Sequence, residues 1–296
     1  MPSDSSRRDF VASSLTAAAT LFAASPLSAA PLQALPRYPE DAPRLRIQPR
    51  YHRWHVATGV DWVETNTGHA TLNWTIPIPQ AAIVLVDVWN RHYLKDTEAR
   101  TETVIAEKLT PLLTACRSAK LPIIHAPSPA MARKHPNWVR LAPDEAPTTT
   151  PDWPPSEFRN QTGAYKSYRR PSELRETELA RLRAGLQLHP KIQPLADEPV
   201  IATGEELHRY CRREGILFLL FAGFNANACI LERDYGVPAM RRRGYEVVII
   251  RDCTTGMESR ETQPTLSQTS GAILFLEMFV GYSVASDEIV AGLPGR

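Results

Sequence analysis

An α/β fold built on a mainly parallel sheet is what this 296-residue chain predicts, on three observations. Two continuous apolar runs, Ala82-Ile83-Val84-Leu85-Val86 and Leu217-Phe218-Leu219-Leu220-Phe221-Ala222, have the length and composition of strands buried on both faces. Segments between and after them carry apolar residues at helical spacing. The two kinds alternate, and that order gives parallel strands joined by right-handed crossovers.

The first thirty residues stand apart. Ser6-Arg7-Arg8-Asp9-Phe10-Val11 precedes an uncharged, Ala-rich stretch from Ala12 to Ala30. Paired arginines before a short apolar region resemble a twin-arginine export signal, with cleavage expected between Ser25 and Ala34 and a periplasmic or secreted mature protein. A disordered Ala/Ser-rich leader is the plainer alternative. Ser25-Pro26 breaks the apolar region, which is too short to span a bilayer, so no membrane partner is expected after processing.

Residues 31–79 read as an extended arm followed by short edge strands. Pro31 to Arg50 is rich in proline and arginine, and Tyr51 to Pro79 carries Trp54, Trp62 and Trp74 in partial alternation. The main domain is assigned to 80–296. After the strand Ala82–Asp87 the spacing of Val104, Ile105, Leu109, Leu112, Leu113 and Cys116 predicts a helix over 98–119, then a strand at Leu121–His125. Ala126 to Arg170 is long, proline-rich and irregular, and its aromatics favour an ordered lid. A polar helix is expected over 172–187, a strand near Lys191–Leu195 or Val200–Ala202, and a helix over 204–214. Strand Ile216–Ala222, a helix after Cys229, strand Val247–Arg251, a helix near 266–280 and a strand at Tyr282–Val284 complete the order.

Charge is nearly balanced, 34 Lys and Arg against 32 Asp and Glu. Arg241-Arg242-Arg243 closes a helix, where it caps carbonyls, and no base-reading motif accompanies it, so nucleic acid is not an expected partner. No Gly-x-Gly-x-x-Gly or Gly-x4-Gly-Lys appears, which removes support for a nucleotide or dinucleotide cofactor. The four cysteines show no disulfide framework; Cys116, Cys211 and Cys253 read as core.

Two residues carry chemistry. Asp87 ends one apolar run, and Cys229 follows the other after the turn Gly223-Phe224-Asn225-Ala226-Asn227-Ala228. Ligands of open α/β sheets bind outside the carboxyl ends of strands, so a carboxylate and a thiol meet in one crevice. Cys229 opens a helix, where unpaired N–H groups favour a thiolate. The plain readings are a buried small cysteine and an acid that caps the next turn.

The Asp87 strand, Gly223-Phe224-Asn225-Ala226-Asn227-Ala228-Cys229-Ile230 and the strand over 242–252 resemble the isochorismatase-like superfamily of cysteine hydrolases, which includes nicotinamidases and N-carbamoyl amidases. The resemblance runs from Ala81 to the C-terminus. It implies a three-layer α/β/α fold with a central, mainly parallel sheet and a homo-oligomer acting on a small molecule without cofactor. It implies a cis Phe224–Asn225 bond, an oxyanion hole from the N–H groups of Asn225 and Cys229, and Asp87 as proton acceptor. The implied reaction is hydrolysis of a C–N bond in a small amide, imide or ureido compound through a thioester. Another reaction that spares the thiol, or a silent binding protein, stays open.

The sequence departs from the family at one point. Relatives place a lysine at the end of the third strand, and none stands at Asp197-Glu198-Pro199-Val200-Ile201-Ala202-Thr203. Lys191 is the nearest substitute and Lys166 another, though each also reads as a solvated surface lysine. Trp89 and His92 follow the acid directly and His125 ends the neighbouring strand; Trp89 is assigned to substrate contact, and His92 and His125 to substrate contact or structural hydrogen bonding. The nicotinamidase spacing of metal ligands is missing, and no metal is expected.

Overall fold

The structure is a computed structural model and describes residues 41–140, 153–173 and 175–295. The export signal, its cleavage site, the start of the arm and the centre of the irregular loop lie outside the described residues.

The strands are β1 (Arg44–Ile47), β2 (Arg50–Arg53), β3 (Gly68–Thr71), β4 (Trp74–Pro77), β5 (Ala81–Val86), β6 (Ile123–Ala126), β7 (Phe218–Phe224), β8 (Glu246–Thr255) and β9 (Tyr282–Val284). The helices are α1 (Lys95–Val104), α2 (Thr110–Ser118), α3 (Pro129–Ala132), α4 (Ser156–Arg159), α5 (Glu176–Ala184), α6 (Gly204–Glu214), α7 (Cys229–Glu232), α8 (Val237–Arg242), α9 (Ser267–Phe279) and α10 (Ser286–Gly292). One π turn, Ile105–Leu109, joins α1 to α2.

Seven strands form the main sheet in the order β3-β2-β9-β8-β7-β5-β6. The five from β9 to β6 run parallel, and β2 and β3 add an antiparallel edge. Every residue of β5 is buried, because its two neighbours cover its edges and helices cover both faces. Side chains alternate between those faces, as strand geometry demands. Ile83 and Leu85 pack with Leu109, Leu112 and Cys116 of the α1–α2 side. Ala82, Val84 and Val86 pack with Leu207 of α6, Met240 of α8 and Leu276 of α9. Each fully buried Leu, Ile or Phe stabilises this sandwich by about 1.5–3 kcal/mol. The result is the three-layer α/β/α arrangement.

Local sequence sets the limits of α6. Thr203 accepts from the Glu206 N–H, while the Glu206 carboxylate accepts from the Ala202 N–H. Gly215 ends the helix in the left-handed region, φ 75°. At the sheet's far edge, buried Glu277 of α9 accepts from Arg50 and bonds His69 and Ser283, tying the antiparallel hairpin to the core.

Several expectations need correction. The arm is not wholly extended, since β1 lies within it and pairs antiparallel with β4. No strand forms at Lys191–Leu195 or Val200–Ala202. Pro190 opens a 3-10 turn over Pro190–Ile192, and Val200 bridges β6 and Trp138 as a single residue, because the Ala202 N–H that would extend the pairing goes to the Glu206 carboxylate. The helix after Cys229 is two helices, because Gly236 and Pro238 start α8 afresh. Trp153, Phe158 and Tyr168 stand exposed in the described part of the expected lid. Cys116, Cys211 and Cys253 are buried free thiols. Among the described residues no helix is long and apolar enough to cross a membrane.

Candidate active site

Strand register brings the acid to the cysteine turn. β5 and β7 pair in parallel with Val86 opposite Gly223, so Asp87 emerges beside Phe224 and Asn225. Gly223 has φ 111°, and a Cβ there would stand 2.0 Å from the Val86 carbonyl oxygen. Only glycine lets the two strand ends approach this closely. Asp87 itself has φ 47°, is 3% exposed and donates its N–H to the Ala126 carbonyl at 3.1 Å.

The turn after β7 contains the cis Phe224–Asn225 bond. Ala226 N–H donates to Thr255 at the end of β8. The N–H groups of Ala228 and Ile230 donate to the Asn225 carbonyl, and those of Leu231 and Glu232 to the Ala228 carbonyl. The N–H of Cys229 is not among these donors. The Cys229 thiol lies beside the Asn225 N–H and the Asp87 carboxylate, and both act on its ionisation.

This geometry overturns the expected resting thiolate. Burial, then the negative charge of Asp87, pushes the Cys229 thiol up to about 12. With only four residues, α7 offers too little dipole to reverse that. Burial also pushes the Asp87 carboxyl up, opposed by the Arg233 guanidinium and by hydrogen bonds from Cys229, Arg233 and Ser128.

Arg233 was not anticipated. Its Nε and Nη2 donate to Asp87 Oδ2 at 3.3 and 3.0 Å, and its side chain is 32% exposed. The Arg233 N–H donates to the Cys229 carbonyl at 3.2 Å, so the cation follows the thiol by one turn. The available signal was the spacing Cys229-x-x-x-Arg233. Lys191, by contrast, stands exposed on the turn Pro190–Ile192, and Asp87 is ion-paired with Arg233. The surface-lysine reading of Lys191 agrees with this exposed position, and the cation found on Asp87 is an arginine from the cysteine's own turn.

Trp89 and His92 join the site through Phe224. The Trp89 ring lies 5.4 Å from that of Phe224 and 5.0 Å from His92, which stacks on Tyr93 at 4.3 Å. The Leu94 N–H donates to His92 Nδ1, and burial lowers the imidazole pKa. Tyr93 Oη reaches the Met257 sulfur at 3.3 Å. Met257 is held in turn by two hydrogen bonds with the Asn227 side chain. An aromatic wall thus runs from the cis turn to the segment after β8.

His125 does not share that wall. It is fully buried, and its Nε2 bonds Glu198 at 2.8 Å, while Arg117 binds the same carboxylate at 2.7 and 2.9 Å. Of its two readings, the structural hydrogen bond holds and substrate contact does not, since the ring is buried against Glu198 and Val200 bridges its backbone. Among the described residues no group of three or more His, Cys, Asp or Glu side chains is placed to hold a metal ion.

The isochorismatase domain model matches residues 81–274, more than half of the chain, and the chain belongs to that family. No curated protein matches. Among solved structures it is similar to a cysteine hydrolase from Pseudomonas syringae pv. phaseolicola 1448A, at 13% identity over 74% of this chain and 94% of that one, TM-score 0.48. An isochorismatase-like hydrolase from Alkaliphilus metalliredigens aligns at 15% identity over 72% and 98%, TM-score 0.44. An isochorismatase from Pseudomonas putida KT2440 aligns at 15% identity over 72% and 91%, TM-score 0.42.

Proposed function

We propose that this protein is a cysteine hydrolase that cleaves a C–N bond of a small amide, imide or ureido substrate through a thioester. The observation that carries the reading is the meeting of Asp87 and Cys229 at the carboxyl ends of β5 and β7, close enough for each to perturb the other's ionisation. A thiol held protonated is a poor nucleophile, but a carboxylate in contact with it removes the proton as sulfur attacks. In the first half-reaction the Cys229 proton passes to Asp87 and sulfur bonds to the substrate carbonyl carbon. The tetrahedral oxyanion is held by the N–H groups of Asn225 and Cys229, a contribution of about 2.7–4 kcal/mol per donor. The C–N bond then breaks, and Asp87 returns the proton to the leaving nitrogen. In the second half, water gives a proton to Asp87 and attacks the thioester. Collapse releases the acid, and the proton returns to sulfur. Trp89 and His92, backed by the buried Phe224 ring, supply an aromatic wall for the substrate.

The test is release of ammonia or amine from a library of such compounds by wild type, Cys229→Ala and Asp87→Asn. Loss of turnover in both variants is expected. Activity in Cys229→Ala within tenfold of wild type would overturn the thioester and favour a reaction that spares the thiol. We also propose export by the Arg7-Arg8 signal: Arg7→Lys with Arg8→Lys should retain the precursor in the cytoplasm, and processed protein still reaching the periplasm would count against it.

A further inference from the structure

The geometry points to Arg233 as the fixed cation that keeps Asp87 a carboxylate and aims it at Cys229, in the place a strand lysine fills among relatives. The inference rests on the reading of Asp87 as the base, and it is carried by position. Both guanidinium contacts fall on Asp87 Oδ2, which leaves Oδ1 outside the ion pair. The backbone bond from Arg233 N–H to the Cys229 carbonyl fixes thiol and cation on one turn. Asp234, the next residue, accepts from the Gly204 N–H at 2.8 Å, and Tyr235 is fully buried with its hydroxyl donating to Pro127. The segment bearing the guanidinium is therefore anchored on both of its following residues.

The groups that face Asp87 can be named from each packed element. Ser128 gives a backbone N–H from the chain after β6, Cys229 a thiol from α7, and Arg233 its charge from the chain after α7. Tyr235 faces it as well, and burial, then the charge of Asp87, pushes its hydroxyl up, so it stays neutral. Arg233 is the cation in this set. Without it, burial would be opposed only by the Cys229 and Ser128 hydrogen bonds, and the proton acceptor would be neutral over a wider range of pH.

Choosing arginine over lysine has a chemical result. A guanidinium does not release its proton at any pH a protein meets, so Arg233 can neither supply nor remove one. The proton that leaves sulfur has one place to go, and the proton delivered to the departing nitrogen is that same one. Arg233 is thus a positioning residue that acts through Asp87.

Alkylation of Cys229 by iodoacetamide, followed against pH by mass spectrometry of its peptide, tests this without a known substrate. If Asp87 takes the thiol proton, the wild-type rate falls along an acid limb set by Asp87. In Arg233→Met that limb should move up by about one pH unit or more, the size of a lost opposite charge at contact. Arg233→Lys should leave it near the wild-type position. Arg233→Gln, which keeps a donor without charge, repeats the contrast if the Met variant does not fold. A limb unmoved in folded Met or Gln variants overturns the role of Arg233. Asp87→Asn separates the two readings: a wild-type limb persisting in that variant would remove Asp87 as base, whereas its loss there together with an unmoved limb in Arg233→Met sinks the Arg233 inference alone.

Discussion

Gly204 and Asp234 meet backbone to backbone at the start of α6. The Gly204 N–H donates to the Asp234 carboxylate at 2.8 Å, and a Cβ on Gly204 would stand 2.1 Å from the Asp234 carbonyl oxygen. The first residue of α6 is therefore the backing for the segment that carries Arg233.

Gly204→Ala should be felt at the site although Gly204 touches neither Asp87 nor Cys229. The new methyl has backbone on its far side and cannot be relieved by a rotamer change. A stability loss of about 1–3 kcal/mol is expected, as for other overpacked positions. Turnover should fall with it. Thermal unfolding and turnover measured together check this, and unchanged values in both would show that the segment yields freely.

Asp87→Asn should cost activity without costing stability. The folded-state pKa of Asp87 lies above the ordinary 3.8, chiefly through burial. A raised carboxyl contributes stability that is full below pH 3.8 and declines as pH rises through the folded value. At neutral pH the ionised group favours unfolding, and an uncharged amide does not. The variant should melt at the wild-type temperature or above at pH 7, with the difference shrinking below pH 3.8. A lower melting temperature at pH 7 would contradict the burial argument.

Glu198 should govern acid stability. Burial works against its charge, but Arg117, His125 and the Leu195 N–H outweigh it and hold the carboxyl down at about 2, against an ordinary 4.5. A depressed carboxyl contributes stability that is present above pH 4.5 and lost as pH falls toward 2. Melting temperatures of wild type should drop across that window. Glu198→Gln should start lower at pH 7 and lose less over the same window; parallel curves for the two proteins would rule this out.

Lys191→Met should change stability by less than about 0.5 kcal/mol, as surface substitutions do. Its side chain is exposed on a 3-10 turn. Turnover should match wild type, and a loss of tenfold or more would return Lys191 to the reaction.

How much of this was legible follows from how local each signal is. β5 and β7 could be read because unbroken apolar runs have few other uses, and α6 because Thr203 and Gly215 mark its ends chemically. With those two strands the meeting of Asp87 and Cys229 followed. Arg233 was not legible because its direction depends on α7 stopping after four residues, a break set by Gly236 and Pro238 further on. The segment near Val200 has the apolar residues of a strand but pairs only at Val200, since the Ala202 N–H is taken by Glu206 at the start of α6. The charge state of the thiol was misjudged for a related reason: helix position argues for a thiolate, whereas burial and a neighbouring carboxylate are properties of the packed molecule. β8 ran longer than expected, because its pairing with β7 shifts register between Phe221 and Gly223.

One turn of chain separates the nucleophile from its counter-charge, and that makes the arrangement portable. A lysine on a distant strand must be kept in place by the whole sheet, and a change in that strand's length or register would strand it. An arginine four residues after the cysteine travels with the turn that carries the thiol. The third strand is then released from catalytic duty, free to erode into the proline-broken segment seen around Pro190–Pro199. On the proposed role of Arg233, an arginine at this interval from the turn cysteine is the feature to look for in a bare sequence that lacks the strand lysine.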